Sequence, residues 1–229
     1  MIFRQLFEAD TCTYTYLLGC ERTRRAILID PVDCHVQRYL DLLKSLNLKL
    51  IFTAETHVHA DHITGAGQLR DRVGSKSIVH RDAGTLCPDV LVTDGVLLQV
   101  GDLDLMVRHT PGHTSGCISL VMSDRVFTGD ALLIGGCGRT DFQQGDSSQL
   151  FKSITEVLFA LPPDTLVYPG HDYHNQHVSM IQQERETNPR LGQNRSKEEF
   201  LVLMQELNLA HPKNIHAALP ANLACGKVS

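Results

Sequence analysis

The period of apolar and polar positions changes several times along the chain, and each change marks an element. Residues 2–7, 13–18 and 25–30 are rich in β-branched, aromatic and aliphatic side chains and read as three strands. Gly19-Cys20-Glu21-Arg22 supplies the turn between the last two, so the chain opens as a β-meander. Asp30-Pro31-Val32-Asp33 closes the third strand, with Asp33 a candidate N-cap. Val36, Leu40, Leu43 and Leu46 then recur at intervals of three and four, which predicts an amphipathic helix over 36–46. A strand at 49–54, a helix at 64–72 and a short strand at 77–80 follow.

Residues 81–95 carry no period and read as irregular. Strands at 97–100, 103–109, 118–122 and 125–128 form a second series, with turns at Gly101-Asp102, Pro111-Gly112 and Ser123-Asp124. A helix over 146–160 is expected next, capped by Asp146 or Ser147, then a strand at 165–168 and helices at 174–186 and 196–207. The tail from Pro212 has no clear period. Strands, helix, strands, helix imply an α/β fold of two βα halves stacked sheet on sheet, with helices outside. No long Gly/Ser/Pro linker interrupts residues 1–229, so one domain is expected.

Composition narrows the function. The 229 residues are 42% apolar, enough for a sizeable core, and carry a net charge of −5 without a basic run long enough to suggest nucleic acid, so no such partner is expected. No apolar run approaches the roughly 20 residues that span a bilayer, so no membrane partner is expected. The seven cysteines include no C-x-x-C pair, so neither a disulfide framework nor a zinc ribbon is indicated. With no leader pattern at the start, a cytoplasmic protein is expected. Each cysteine reads as a small buried hydrophobe; Cys137, set among glycines, is the one closest to chemistry.

The chemistry concentrates in Thr56-His57-Val58-His59-Ala60-Asp61-His62, directly after strand 49–54. Three imidazoles and a carboxylate in six residues suit a transition metal, because neutral imidazole nitrogen and carboxylate oxygen are its common ligands. The strand end lets them converge without breaking a ladder. His113, Asp130 and His171 also follow strand ends, each with a glycine before it that permits close backbone approach.

Together these stretches resemble the metallo-β-lactamase superfamily: T-H-x-H-x-D-H, then P-G-H-T, T-G-D and P-G-H over residues 48–171. The resemblance implies an αββα sandwich of two mixed β-sheets flanked by helices, with a metal site between the sheet edges. Residues 56–65, 127–134 and 136–145, together with His171-Asp172-Tyr173, Asn188-Pro189-Arg190-Leu191 and residues 220–226, are similar more narrowly to the persulfide dioxygenases. That family oxidises glutathione persulfide with O₂ to sulfite and glutathione at one non-haem Fe(II).

By this resemblance, His57, His113 and Asp130 are the catalytic iron ligands, a facial set that leaves three positions open. His59, Asp61, His62 and His171 form an outer ring that orients ligands and water. Glutathione carries two carboxylates, so Arg139 is the leading substrate-binding residue, since Arg clamps carboxylates with paired hydrogen bonds. Tyr173, Phe142 and Arg190 are further substrate-binding candidates. The family also implies a homodimer. A glyoxalase II-like thioester hydrolase with a dinuclear site remains an alternative, because all seven ligands of such a site are present. The segment after His171 is shorter than that family's helical domain, and residues 136–145 match the dioxygenases better. A non-catalytic sulfur carrier is a third reading, unsupported by any C-x-x-C or rhodanese-like loop.

Overall fold

The computed structural model describes residues 1–226. Strands β1 (Ile2–Glu8), β2 (Thr13–Gly19), β3 (Arg25–Ile29), β4 (Lys49–Ala54), β5 (Lys76–His80) and β6 (Val90–Val92) lie in that order in the first sheet. Its first three strands pair antiparallel and the rest parallel. Parallel neighbours need a crossover, and the helices α1 (Val36–Ser45) and α2 (Ala66–Val73) supply two of them. Strands β7 (Leu97–Val100), β8 (Leu103–His109), β9 (Ile118–Val121), β10 (Arg125–Gly129), β11 (Leu166–Pro169) and β12 (Ser179–Met180) form the second sheet in sequence order. Only β10 and β11 pair parallel, across the excursion that contains α3 (Ser147–Lys152).

The two sheets face each other through one apolar cluster. Tyr14, Tyr16, Leu18, Ile27 and Ile29 meet Leu105, Val107, Ile118, Leu120 and Phe127 there. Each such buried side chain contributes about 1.5–3 kcal/mol. A second cluster seats α1 and α2 on the outer face of the first sheet through Val36, Tyr39, Leu43 and Leu69. A third seats α3, α4 (Ile181–Thr187) and α5 (Lys197–Glu206) on the second sheet through Leu150, Ile181, Phe200 and Met204. The architecture is the αββα sandwich of two mixed sheets.

Several expectations change. The helix expected over 174–186 is shortened to α4, because Ser179 and Met180 pair with Val167 and Leu166 as an edge strand. Val90–Val92, inside the supposed irregular stretch, pairs with β5. The 146–160 helix continues past α3 as a π-helical segment, Ser153–Leu158. Asp146 does cap it, accepting the N–H groups of Ser148 and Gln149. Asp33 caps nothing on α1; its carboxylate accepts from the adjacent Cys34 N–H within a 3₁₀ turn. The periodless tail holds α6 (Ile215–Leu223), which buries small residues and an asparagine rather than an apolar stripe. Finally, Cys87 and Cys225 are joined as a disulfide, contrary to the reading of all seven cysteines as thiols. Their separation of 138 residues hides the pairing from any local pattern.

Candidate metal centre

The first ligand loop leaves β4 in the middle of the first sheet and is tied to the end of β3. Asp30 accepts the Thr56 N–H at 2.7 Å and the Thr56 hydroxyl at 2.8 Å. With its proton committed, the Thr56 oxygen accepts from His57 Nδ1–H at 3.0 Å. The His57 Nε2 lone pair is thereby fixed as the free donor. Burial, with His59 beside it, holds the His57 imidazole well below the usual range, so it is neutral and ready to ligate.

His113 stands in the turn after β8. Its Nδ1–H donates to the Arg139 backbone carbonyl at 2.7 Å, which again leaves Nε2 free. Gly138 packs against this ring, where a side chain would collide with His113. Asp130 follows β10, with Gly129 before it at φ +52° in the left-handed region. His113 Nε2 lies 3.6 Å from Asp130 Oδ2. Donor atoms of His57, His113 and Asp130 all fall within 4.8 Å of one another. The sequence-predicted trio thus converges from three strand ends.

Three of the four remaining residues, Asp61, His62 and His171, form a hydrogen-bonded group beside the trio, and His59 stands outside it. His171 Nδ1 donates to Asp130 Oδ1 at 2.7 Å, and its Nε2 reaches Asp61 Oδ2 at 3.0 Å. Asp61 also accepts from His62 Nδ1 at 2.9 Å and from Thr13 at 3.0 Å. Burial opposes charge on Asp130 and Asp61, but the His171 imidazole outweighs it and holds both carboxylates far below their usual range. Against the same burial, Asp130 and Asp61 raise His171 well above its usual range, so it is cationic and donates from both nitrogens. His59 turns its Nε2 toward Asp30 at 3.1 Å and Glu55 at 3.4 Å. Among the described residues, both His59 ring nitrogens and the Nε2 of His62 are buried without a hydrogen-bond partner, and His59, Asp61 and His62 make a second three-donor group.

The trio opens into a cleft of about 850 Å³, within the span typical of small-molecule sites. All four substrate-binding candidates line it, in different states. Arg139 does not offer a free guanidinium. It forms paired bonds of 2.6 Å to Asp141 and donates to the carbonyls of Leu209 and Ala210 at 3.0 and 2.6 Å. Its plane covers the Phe142 ring at 4.7 Å. The predicted carboxylate clamp is therefore spent on an internal carboxylate and on the loop that walls the cleft. Phe142 does form an apolar wall, its ring 6.5 Å from that of His113. Tyr173 is 63% exposed at the rim and lies parallel to His171, with ring centres 5.8 Å apart. Arg190 bonds Cys137 O through Nη1 at 2.5 Å, and among the described residues its Nε and Nη2 have no acceptor. Cys137 is 2% exposed, and burial pushes its thiol up to about 11, which fits a structural residue.

Sequence reading missed Asp30, Lys213 and Asn222. Asp30 ends an apolar strand, a weak signal; the other two lie in the periodless tail. Lys213 lines the cleft as a cation alongside Arg139 and Arg190.

Two sheets in an αββα sandwich, with histidines and aspartates gathered at their strand ends, define a class. The chain belongs to the metallo-β-lactamase superfamily, whose sequence model matches residues 13–171. It is 49% identical over 229 residues to the mitochondrial persulfide dioxygenase ETHE1 of Bos taurus, covering 99% of this chain and 89% of that one. The crystal structure of ETHE1 from Myxococcus xanthus superposes with a TM-score of 0.97 at 52% identity, across 99% of this chain and 100% of that one. Within the superfamily the chain falls in the persulfide dioxygenase family. Similarity to a probable hydroxyacylglutathione hydrolase of Schizosaccharomyces pombe is lower, 35% over 70% of this chain and 64% of that one.

Proposed function

We infer that the chain is a persulfide dioxygenase, and we propose glutathione persulfide as its substrate and Fe(II) as its metal. The observation that carries the reading is the His57, His113 and Asp130 trio. Its two imidazoles are held with Nδ1–H bound inward and Nε2 free. The group is open on the cleft side. These residues fit a divalent iron: two neutral nitrogens and one anionic oxygen, with room left for other ligands.

When bound, iron supplies the one-electron reactivity that O₂ needs to combine with a closed-shell sulfur anion. The protein does the rest. Trio and divalent ion together carry one positive charge, which favours the acidic persulfide as its anion. Arg190 and Lys213 place further positive charge in the cleft for the carboxylates of a glutathionyl group. Phe142 shields the trio on one side. Persulfide, O₂ and water give thiol, sulfite and two protons, with all four electrons taken from the terminal sulfur, so no external reductant is needed.

A glyoxalase II-like hydrolase would hold a second metal on Asp61, His62 and His171. Against it, Asp61 is already bonded to His171, His62 and Thr13, and both nitrogens of His171 are spent on Asp130 and Asp61. The deciding experiment compares glutathione persulfide with S-lactoylglutathione on iron-loaded protein. Rapid O₂ uptake with sulfite from the persulfide alone is expected. Thioester hydrolysis without O₂ uptake would overturn the reading. A homodimer is proposed on family resemblance, and sedimentation equilibrium tests it.

A further inference from the structure

The metal loop is held from an unexpected direction. Asn222, on α6, is 5% exposed and spends its whole side chain on this loop. Its Nδ2 donates to His59 O and His62 O, both at 2.8 Å, and its Oδ1 accepts the Thr64 N–H at 2.8 Å. At the other end of α6, Asn214 Nδ2 donates to Asp61 O at 2.9 Å. These are main-chain groups of a loop with few ladder partners, and buried main-chain groups must be paired. The fit is close: a side chain on Gly226 would strike the Thr64 carbonyl, and one on Gly67 would strike the Cys225 carbonyl.

Little else holds α6. Ala218, Ala221 and Asn222 are its buried residues, and Leu223 is 37% exposed. A segment with so small an apolar contact opens at low cost unless it is tied down. Among the described residues the tie is the Cys87–Cys225 disulfide, three residues beyond Asn222, beside the Leu86 N–H to Leu223 O bond of 2.8 Å.

We propose that α6 is a thiol-sensitive clamp on the metal loop, with Asn222 its positioning residue and the Cys87–Cys225 disulfide its fastening. Cys87 is half-buried whereas Cys225 is buried, so an attacking thiolate reaches Cys87 Sγ first. The Sγ–Sγ bond breaks, a mixed disulfide forms on Cys87, and the electron pair leaves on Cys225, which takes a proton. A second thiolate then attacks the mixed disulfide, releasing the small-molecule disulfide and the Cys87 thiol. Two thiols are oxidised by two electrons in all, and both cysteines are reduced. The reductant class, a low-molecular-weight thiol, is what the persulfide reaction proposed above releases, and on that point the physiological sense of the clamp rests on that reading. Once the fastening is cut, the His59, His62 and Thr64 main-chain partners loosen, and the loop that carries His57 loosens with them.

The test follows Fe(II) release to an excess chelator, without oxygen or substrate, from the full chain in its oxidised and glutathione-reduced forms. Hydrogen exchange at amides 59–64 is read in parallel. Reduction should speed release about ten-fold, the lower end of what lost support around a metal ligand costs, and should raise exchange at those amides. Cys87→Ser should release at the reduced rate and ignore thiol; Cys225→Ser serves if that variant does not fold. Asn222→Ala should release fast in either redox state. Asn222→Asp, which sets a carboxylate oxygen against the His59 and His62 carbonyls, should release at least as fast. Equal release from oxidised, reduced and Cys87→Ser protein, or free thiols at both cysteines in the aerobically purified chain, would overturn the clamp. Turnover is not measured, so a wrong substrate assignment leaves each result readable.

Discussion

His171 donates from Nδ1 to Asp130 Oδ1 at 2.7 Å, leaving the other carboxylate oxygen to face His113 Nε2 at 3.6 Å. One oxygen of Asp130 is thus spent on His171, and the other stays on the side of His113. His171→Ala should leave the metal bound but weaken it by roughly 10–100-fold, the usual effect of removing such a partner. Chelator competition measures this; an unchanged affinity would show that Asp130 needs no orienting partner.

His57→Ala, His113→Ala and Asp130→Ala each remove one of three protein donors. Each should lose iron and persulfide-dependent O₂ uptake together. Elemental analysis beside oxygen-electrode assays checks the pairing. A variant that keeps one iron per chain would exclude that residue from the ligand set.

Arg139→Ala should free Asp141 and release the carbonyls of Leu209 and Ala210 from the cleft wall. The expected result is a raised KM with iron content preserved. Asp141→Ala should reproduce it, because it breaks the same paired bonds. If Arg139 instead binds substrate directly, Asp141→Ala would leave KM near its original value.

Burial pushes the Cys137 thiol up to about 11. It therefore stays protonated at neutral and mildly alkaline pH, with too little thiolate to react. Mass spectrometry of the native protein alkylated at pH 8 should find Cys137 unmodified and exposed Cys34 labelled. Labelling at Cys137 would show that the loop around it opens.

Asp146→Ala removes the acceptor for two N–H groups at the start of α3. A stability loss of about 1 kcal/mol is expected, read as a shifted denaturant midpoint, with O₂ uptake intact.

The strands were legible where alternation and turns were local, as in β1 to β4 and β7 to β11. Seven candidate ligands were legible because they follow apolar runs that read as strands, and resemblance to the family picked His57, His113 and Asp130 out of them. Four features were not legible. Strand β12 exists because β11 offers it an edge. The α6 helix docks through small residues and an asparagine, which carry no 3.6-residue stripe. Cys87 and Cys225 meet across 138 residues. Arg139 looked free because nothing in sequence shows that Asp141 turns back onto it.

The sequence by itself determined which donors reach the strand ends, and so the kind of metal chemistry available. Tertiary structure alone decided how each donor is held. Asp30 reaches Thr56 and so fixes the His57 tautomer; the Arg139 carbonyl does the same for His113; Asn222 returns from the tail to close the loop. These are hydrogen bonds between chemically ordinary groups far apart in the chain. Their partners are chosen by packing, and no local pattern of residues encodes that choice.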